Sequence, residues 1–486
     1  MKRLIIILIA AITFVGCTQK LPTAGPSNQQ PAIYPDYAGV TIPQNIAPLN
    51  FKLDSAQKAI AHIQSSSYTF AVSATDGKFN IPSRKWRKAL QAAAGDTIKI
   101  TIYEQQNNKW LRHNAINIFV APCDIDGYLV YRRIVPGFHN WNQMGICQRR
   151  LSDYAETEII SNRLTDNNCM NCHSFCRNNP DKMLFHQRTD YAGTYFIENG
   201  DIEKVNTKNA NTISALVYPS WHPTGRFVAF STNITKQDMH LCSPNRIEVF
   251  DEASDVVVYD IQEHTIITNR VLSDSKAFET FPTFSPDGKR LYFCTAPAIQ
   301  MPDSFNYVKY SIVAVDFDAD TKQIGTHADT IYQARETGRS AKFPRVSPDG
   351  KYLLYTESDY GNFSIWHTDA DLRMLNLETN KTDSLAIANS TNTESYHSWS
   401  SSGRWFVFSS RRQNGLYTAP YICYFDEQGR AHKPFLLPQK DADYYNNTPF
   451  SFNIPELITN PINVSTYSLV KAAKHSAATE VNYQLQ

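Results

Sequence analysis

Four segments of this chain repeat one pattern, and each reads as a strand, a tight turn and a second strand. They cover residues 218–231, 281–294, 343–356 and 396–409 and contain Gly225, Gly288, Gly350 and Gly403 at the same place. In the two middle copies the turn is Pro-Asp-Gly, where Pro presets one backbone angle and Gly supplies a positive φ. The apolar run after each turn is typical of a strand that is buried on both faces.

The spacing of these units predicts a β-propeller. The four glycines are 63, 62 and 53 residues apart, whereas a four-stranded blade needs about 40–45 residues. The surplus predicts long loops, which is where binding residues usually lie. The predicted fold class is therefore mainly β, with a propeller of five or six blades over residues 201–450 and a C-terminal extension over 451–486.

The repeat resembles that of the TolB-like propeller family, also described as PD40 or WD40-like, whose core is Trp-Ser-Pro-Asp-Gly followed by an apolar strand. The resemblance covers about residues 205–445 and includes outer strands such as 255–259 and 310–315. It implies the fold and no particular reaction. Some peptidases carry a propeller before a hydrolase domain, but this chain has no G-x-S-x-G nucleophile motif, which argues against a peptidase.

The N-terminus predicts export. Met1, Lys2 and Arg3 precede an apolar run over residues 4–14, which is too short to span a bilayer and fits a signal peptide over 1–16. The ending Gly16-Cys17 resembles the lipobox of bacterial lipoproteins, which implies lipidation of Cys17. The alternative is an ordinary signal peptide with a chance cysteine. Thr18, where some lipoproteins carry a retention Asp, favours an anchor in the outer membrane of the envelope. The periplasmic side is the expected location, although the residue does not decide the face of the membrane.

Two further regions precede the propeller. The Pro- and Gln-rich stretch after Cys17 predicts a flexible tether over residues 17–48. Residues 49–125 alternate apolar and polar side chains over 68–73, 97–103 and 116–120, which predicts a small β-sandwich. The chain has 47 Lys and Arg against 46 Asp and Glu, and this balance argues against a nucleic-acid partner.

The sharpest chemical signal is Cys169-Met-Asn-Cys172-His173 within a predicted module over residues 126–200. C-x-x-C-H is the attachment pattern of c-type haem. Two thiols three positions apart on a helical turn can bond the haem vinyl groups, and the adjacent imidazole can ligate the iron. Haem attachment takes place outside the cytoplasm, which agrees with the predicted export.

Other readings of the motif stay open. Cys169 and Cys172 would also suit a structural disulfide. Zinc binding with Cys176 and a histidine is a third possibility. A thioredoxin-like redox pair is less favoured, because no βαβ pattern surrounds the motif.

A second iron ligand would come from the segment that follows the motif. Met183 and His186 are three residues apart and would share one face of a helix. Without a haem, Met183 would pack in the core and His186 would make a hydrogen bond at the surface. Several arginines are candidate partners for haem propionates, namely Arg132, Arg133, Arg149, Arg150 and Arg188.

The string from Tyr131 to Pro180 resembles a group of Bacteroidota lipoproteins that join a C-M-N-C-H-S-F module to a TolB-like propeller. The resemblance implies this architecture and a covalent haem, but no reaction. Three functions follow as hypotheses. The first is an electron-transfer or redox-sensing lipoprotein, with the propeller docking an envelope protein partner. The second is a non-enzymatic interaction scaffold in which the cysteines are structural. The third is a haem enzyme with an open iron position, such as a peroxidase, although a non-enzymatic role is favoured.

Overall fold

The computed structural model describes residues 20–54, 58–136 and 143–486, apart from the Cys172 side chain. The predicted signal peptide and Cys17 lie outside the described residues. The structure is mainly β and consists of an N-terminal β domain followed by a six-bladed propeller. Among the described residues, no helix has the length and apolar character needed to cross a membrane.

The N-terminal domain is built on one seven-stranded sheet, in which β1-β8-β7-β4-β5 form the main path and β9 joins β7 to β2. A two-stranded sheet, β3-β6, and one helix complete the domain. The elements are β1 (Gly25–Pro26), β2 (Thr41–Ile42), β3 (Phe51–Lys52), β4 (Ala59–Gln64), β5 (Thr69–Ser73), β6 (Lys78–Phe79), α1 (Ser83–Ala92), β7 (Thr97–Gln106), β8 (Lys109–Arg112) and β9 (Ile116–Val120).

Alternation along β7 explains how this domain forms its core. Ile98, Ile100 and Ile102 point to one face and are fully buried, as the period of a strand requires. They share a core cluster with Trp86 of α1. The part predicted as a small β-sandwich is thus one large sheet whose core includes a helix and the two-stranded sheet.

The segment predicted as a flexible tether is packed from residue 33 onward, which corrects the predicted tether boundary at residue 48. Ile33, Tyr37, Val40 and Ile46 are buried in the core cluster that joins the N-terminal domain to blades five and six. These apolar side chains recur among the prolines, and their burial outweighs the flexibility that the composition predicts.

Six sheets form the propeller. Blade one contains β10 (Tyr128–Ile134), β11 (Met144–Arg150) and β12 (Glu156–Ser161). Blade two contains β13 (Met170–Phe175), β14 (Lys182–Gln187), β15 (Gly193–Glu198) and β16 (Asp201–Asn206). Blade three contains β17 (Leu216–Trp221), β18 (Phe227–Met239), β19 (Ile247–Asp260) and β20 (Thr265–Thr268).

Blade four contains β21 (Ala277–Phe284), β22 (Arg290–Pro297), β23 (Ser311–Asp318), β24 (Gln323–Ile324) and β25 (Asp329–Tyr332) and is followed by α2 (Ala334–Thr337). Blade five contains β26 (Ser340–Val346), β27 (Tyr352–Ser358), β28 (Asp371–Asn376) and β29 (Lys381–Asp383). Blade six contains β30 (Glu394–Trp399), β31 (Trp405–Ser410), β32 (Ala419–Tyr424) and β33 (Phe435–Leu436). The remaining elements are α3 (Tyr444–Asn447), β34 (Ser451–Ile458), α4 (Thr466–His475), β35 (Thr479–Glu480) and β36 (Asn482–Leu485).

The C-terminal residues close the ring. β34 pairs antiparallel with β10, from Tyr128 opposite Ile458 to Ile134 opposite Ser451, and so supplies the inner strand of blade one. β35 and β36 add parallel outer strands to blades two and three. Residues 451–486 are therefore part of the propeller rather than an extension, and residues 126–200 form three strands of blade one and three strands of blade two rather than a separate module.

Removal of the closing strand should unfold the propeller. Phe452, Leu457 and Ile458 of β34 are fully buried, and burial of each such side chain contributes about 1.5–3 kcal/mol. We expect a chain that ends at Phe450 to lose about 5 kcal/mol or more and to become sensitive to protease. A chain that ends at Val481 loses only the largely exposed β36 and should unfold within a few degrees of the full chain. Equal thermal midpoints for both truncations would contradict the closure.

Candidate functional site in the central channel

The inner strands of the propeller share one irregularity. In every blade, two residues of the inner strand face one residue of the next strand, which is a β-bulge. The register skips between Asn171 and Ser174, Val217 and Ser220, Thr280 and Thr283, Lys342 and Arg345, Ser395 and Ser398, and Asn453 and Glu456. The first skipped residue has a φ between 50° and 53° in five of these strands, at Tyr218, Phe281, Phe343, Tyr396 and Ile454.

This register places Cys172 and His173 in the propeller repeat. Cys172 stands where the other blades have these five residues of positive φ. His173 stands where they have Pro219, Pro282, Pro344, His397 and Pro455. The sequence carried this signal, since Cys-His-Ser-Phe aligns with Tyr-Pro-Ser-Trp and Tyr-His-Ser-Trp of the recognised repeats. The helical turn expected for the motif is instead the strand β13.

The skipped aromatic residues form a belt across the channel. Ring centroids are 4.6 Å apart for Tyr218 and Phe281, 4.1 Å for Phe281 and Phe343, and 5.2 Å for Phe343 and Tyr396. Because the inner strands run in one direction, residues before the bulge line one end of the channel and residues after it line the other. The belt separates these two ends.

One end opens at the tight turns of the repeats, and we name it the turn-side funnel. It has a volume of about 360 Å³ and continues into an inner cavity of about 40 Å³ beside the belt. The turn prolines Pro223, Pro286 and Pro348 lie at its rim, and Trp221 and Trp399 line its wall. The turns are tight because each carries a glycine of positive φ. At Gly288, with φ of 76°, a Cβ atom would lie only 2.1 Å from Nε2 of His222.

Two residues of opposite charge, Arg345 and Glu456, lie deep in the funnel and act on each other electrostatically, but neither has an ion-pair partner within 4.0 Å among the described residues. Arg345 Nη1 donates to the carbonyl oxygen of Pro344 at 3.0 Å, and no described carboxylate lies within 4.0 Å of its guanidinium. Glu456 Oε1 accepts from the Ser174 hydroxyl at 3.4 Å, whereas Oε2 has no partner. Burial raises the pKa of Glu456 to about 8, and the positive charge of Arg345 opposes that shift.

His173 lies in the same inner cavity. Its side chain is 2% exposed, and neither ring nitrogen has a hydrogen-bond partner among the described residues. Burial, together with the nearby charge of Arg132, lowers the pKa of His173 to about 3, so the imidazole is neutral. A haem ligated by His173 would have to occupy this inner cavity of about 40 Å³, which is far too small for a porphyrin. The arrangement therefore does not fit a haem with His173 as the proximal ligand.

Met183 and His186 do not share a face. Residues 182–187 form the strand β14 rather than a helix, so residues three apart point to opposite sides. Met183 packs in a core cluster with Phe175 and Tyr195, which agrees with the alternative of core packing. His186 is buried, has Nδ1 3.4 Å from the Thr194 hydroxyl oxygen, and lines a second cavity. The predicted shared helical face is wrong, because this segment is the second strand of a blade.

The disulfide and zinc readings of the motif both depend on the Cys172 side chain, which lies outside the described residues, so they stay predictions. Within the part of the chain that the structure describes, no three His, Cys, Asp or Glu side chains are grouped to hold a metal. Cys169 and Cys176 are both free thiols. Most of the predicted propionate partners have other contacts: Arg133 pairs with Glu156, and Arg149 donates to backbone carbonyl groups. Of the five arginines, Arg133 and Arg188 line cavities, and only Arg188 does so without an ion-pair partner among the described residues.

Comparison with known proteins leaves the family open. No family profile and no curated protein matches the chain. The similar solved structures include an oligogalacturonate lyase from Vibrio parahaemolyticus, 12% identical over 60% of this chain and 71% of that chain, with a TM-score of 0.35. Hydrazine synthase from Kuenenia stuttgartiensis is 11% identical over 69% and 47%, with a TM-score of 0.45. The β-propeller domain of the Trilobed protease from Pyrococcus furiosus is 9% identical over 69% and 81%, with a TM-score of 0.31. At these TM-scores the likenesses carry no functional conclusion, and the six-bladed fold rests on the sheet topology.

The repeat assignment predicts that His173→Pro is tolerated. The position is proline in four other blades and lies in the bulge, outside the paired register, so the loss of its N–H should cost no ladder hydrogen bond. We expect a thermal midpoint within a few degrees of wild type. Leu184→Pro, in a strand paired on both sides, should cost at least about 3 kcal/mol.

The same variant tests the haem prediction if both proteins are produced in a host that matures c-type cytochromes. Equal absorption spectra without a Soret band are expected. A covalent haem in wild type whose spectrum or stability is lost in His173→Pro would contradict the assignment of His173 to the channel wall.

Glu456 predicts a pH dependence of stability. Its pKa rises from the ordinary 4.5 to about 8 on folding, so the unfolded chain binds fewer protons between these values. Stability should therefore fall as pH rises through this window, by at most about 1.4 kcal/mol per pH unit. Urea unfolding at pH 5, 6.5 and 8 should show that Glu456→Gln flattens this slope. Glu378→Gln, at an exposed turn, should leave the slope unchanged, and a wild-type slope in Glu456→Gln would contradict the assignment.

Proposed function

We propose that this chain is a non-enzymatic binding protein of the cell envelope and that its turn-side funnel receives an extended segment of a protein partner. The propeller fold is consistent with an interaction scaffold. The observation that carries the proposal is Arg345, a largely buried cation at the base of an open funnel with no described carboxylate within 4.0 Å. The acidic side chain that acts on it, Glu456, has its pKa raised to about 8 and is mostly protonated at neutral pH. A buried charge without a partner costs stability, and a ligand carboxylate would offset that cost.

The wall of the funnel suits a peptide. Trp221, Trp399 and Phe284 offer apolar and aromatic surface, and Ser220, Thr283 and Ser398 place hydroxyl groups between them. A few convergent polar groups on an apolar wall are typical of ligand sites. Arg345 would pair with an Asp, Glu or C-terminal carboxylate of the partner, and Glu456 would accept a backbone or side-chain donor. The segment enters from the turn side, where the funnel opens, and the aromatic belt lies at the inner end of its path.

The proposed localisation and the alternative of a covalent haem both rest on the sequence. Lipidation of Cys17 would hold the propeller at the outer membrane, within reach of other envelope proteins. Covalent haem through Cys169 and Cys172 is supported by the C-x-x-C-H pattern and by the predicted export. The burial of His173 in the narrow inner cavity argues against a covalent haem, and the geometry of the funnel favours the binding scaffold.

Peptide selection tests the funnel. Random twelve-residue peptides selected on the wild-type protein should quench the fluorescence of Trp221 and Trp399 when they bind. We expect Arg345→Met to weaken binding of the selected peptides at least tenfold, because the buried charge contact is lost. Arg335→Met, at an exposed helix position, is the matched control and should bind as wild type. Selected peptides that bind Arg345→Met unchanged, or no selectable peptides, would contradict the proposal.

A further inference from the structure

A second cavity lies at the opposite end of the channel, and we name it the hairpin-side cavity. It has a volume of about 560 Å³, within the range of small-molecule sites. Asn171, Val217 and Tyr218, at or before the bulges of blades two and three, form its floor. The long hairpin of β18 and β19 contributes Thr235, Lys236, Gln237 and Val249 to its wall, and Phe363 of blade five also lines it.

Two buried amides on this wall have carbonyl oxygens without a partner. Gln187 is fully buried and Asn233 is 8% exposed, and neither Gln187 Oε1 nor Asn233 Oδ1 has a hydrogen bond among the described residues. The orientation of each amide is fixed by its other end. Gln187 Nε2 donates to the Thr165 hydroxyl, which itself donates to a carbonyl, and Asn233 Nδ2 donates to Asp251 Oδ2. The orphaned atoms are therefore acceptors. Both have almost no accessible surface, so a ligand with O–H groups would satisfy them only after a small shift of the cavity wall.

The cavity also carries an excess of positive charge. Arg188 and Lys236 line it, and no Asp or Glu does. Arg188 is exposed and has no ion-pair partner among the described residues, and the Lys236 ammonium is 4.0 Å from Glu252. Two cations beside hydroxyl-accepting amides match a ligand that has an anionic group and several hydroxyl groups.

We propose that the hairpin-side cavity binds a small hydroxyl-rich anion, either a sugar acid or a sugar phosphate. The anionic group lies between Arg188 and Lys236, and hydroxyl groups reach toward Gln187 and Asn233. Tyr218 and Phe363 line the cavity and add aromatic surface beside the apolar side of the sugar. This site is separate from the turn-side funnel, so its failure would leave the proposed function untouched.

Calorimetric titration with four probes tests the site. We expect glucuronate, glucose 6-phosphate or both to bind, with neutral glucose at least tenfold weaker. The stronger of the two acids identifies the anionic group that the cations select. Inorganic phosphate lacks the sugar hydroxyl groups, so its affinity shows how much those contacts contribute. It should bind at least tenfold more weakly than the preferred sugar anion. Affinity should decrease with added salt, since the contacts are charged.

Paired variants locate the binding. Arg188→Gln combined with Lys236→Gln should weaken the preferred sugar anion at least tenfold. Arg270→Gln, an exposed arginine outside the cavity, should leave its affinity unchanged. Both cations of the double variant are exposed, so its thermal midpoint should match that of wild type. The proposal is overturned if neither acid binds, if glucose binds as tightly, if phosphate alone matches the sugar anion, or if the double variant binds as wild type.

Discussion

The pairing of β34 with β10 holds the propeller together. It joins residues 451–458 to residues 128–134 and so gives blade one its inner strand. An open ring would leave the inner edge of β10 unpaired and expose the buried faces of blades one and six. The same pairing puts Ile454, Pro455 and Glu456 in the channel. The geometry of the site therefore depends on a contact between distant parts of the chain.

The bulge in each inner strand is the second constraint. A bulky residue with positive φ costs free energy, and such strain persists only where its surroundings enforce it. Here the bulges aim Tyr218, Phe281, Phe343 and Tyr396 at one another across the channel. Contacts between these rings offset part of the strain. In each inner strand, the residue that follows the two bulged residues lines the funnel. Arg345 and Glu456 both occupy this position in their blades, so they lie together in the funnel.

The sequence predicted the fold where a local signal was present. Glycines such as Gly288 and Gly350 require positive φ in a tight turn, and these positions identified four blades correctly. Blade two escaped recognition because Asn178-Asn-Pro replaces the usual Pro-Asp-Gly in its turn. Blade one could not be recognised as one repeat, since its strands come from two ends of the propeller segment. Register between such distant strands leaves no local pattern in the sequence.

The candidate site was equally hard to predict from the sequence, because its geometry depends on the pairing of strands. The spacing of Cys169, Cys172 and His173 matches haem attachment only if the segment forms a helical turn, and the blade imposes a bulged strand instead. Arg345 and Glu456 had no sequence signal as functional residues, because they occupy a repeat position that elsewhere holds Ser or Thr. Comparison of the repeats position by position would have shown them as the charged exceptions among six equivalents.

The aromatic belt lies between the turn-side funnel and the hairpin-side cavity. The inner strands run past both sites and would couple a ligand at one end to a ligand at the other. β13 is one route, because Asn171 lines the cavity and Ser174, three residues later, lines the funnel. The bulge between them contains Cys172 and His173. A chemical change at Cys172 or His173 would therefore alter the strand segment that connects the funnel to the hairpin-side cavity, whether or not these two residues hold a cofactor.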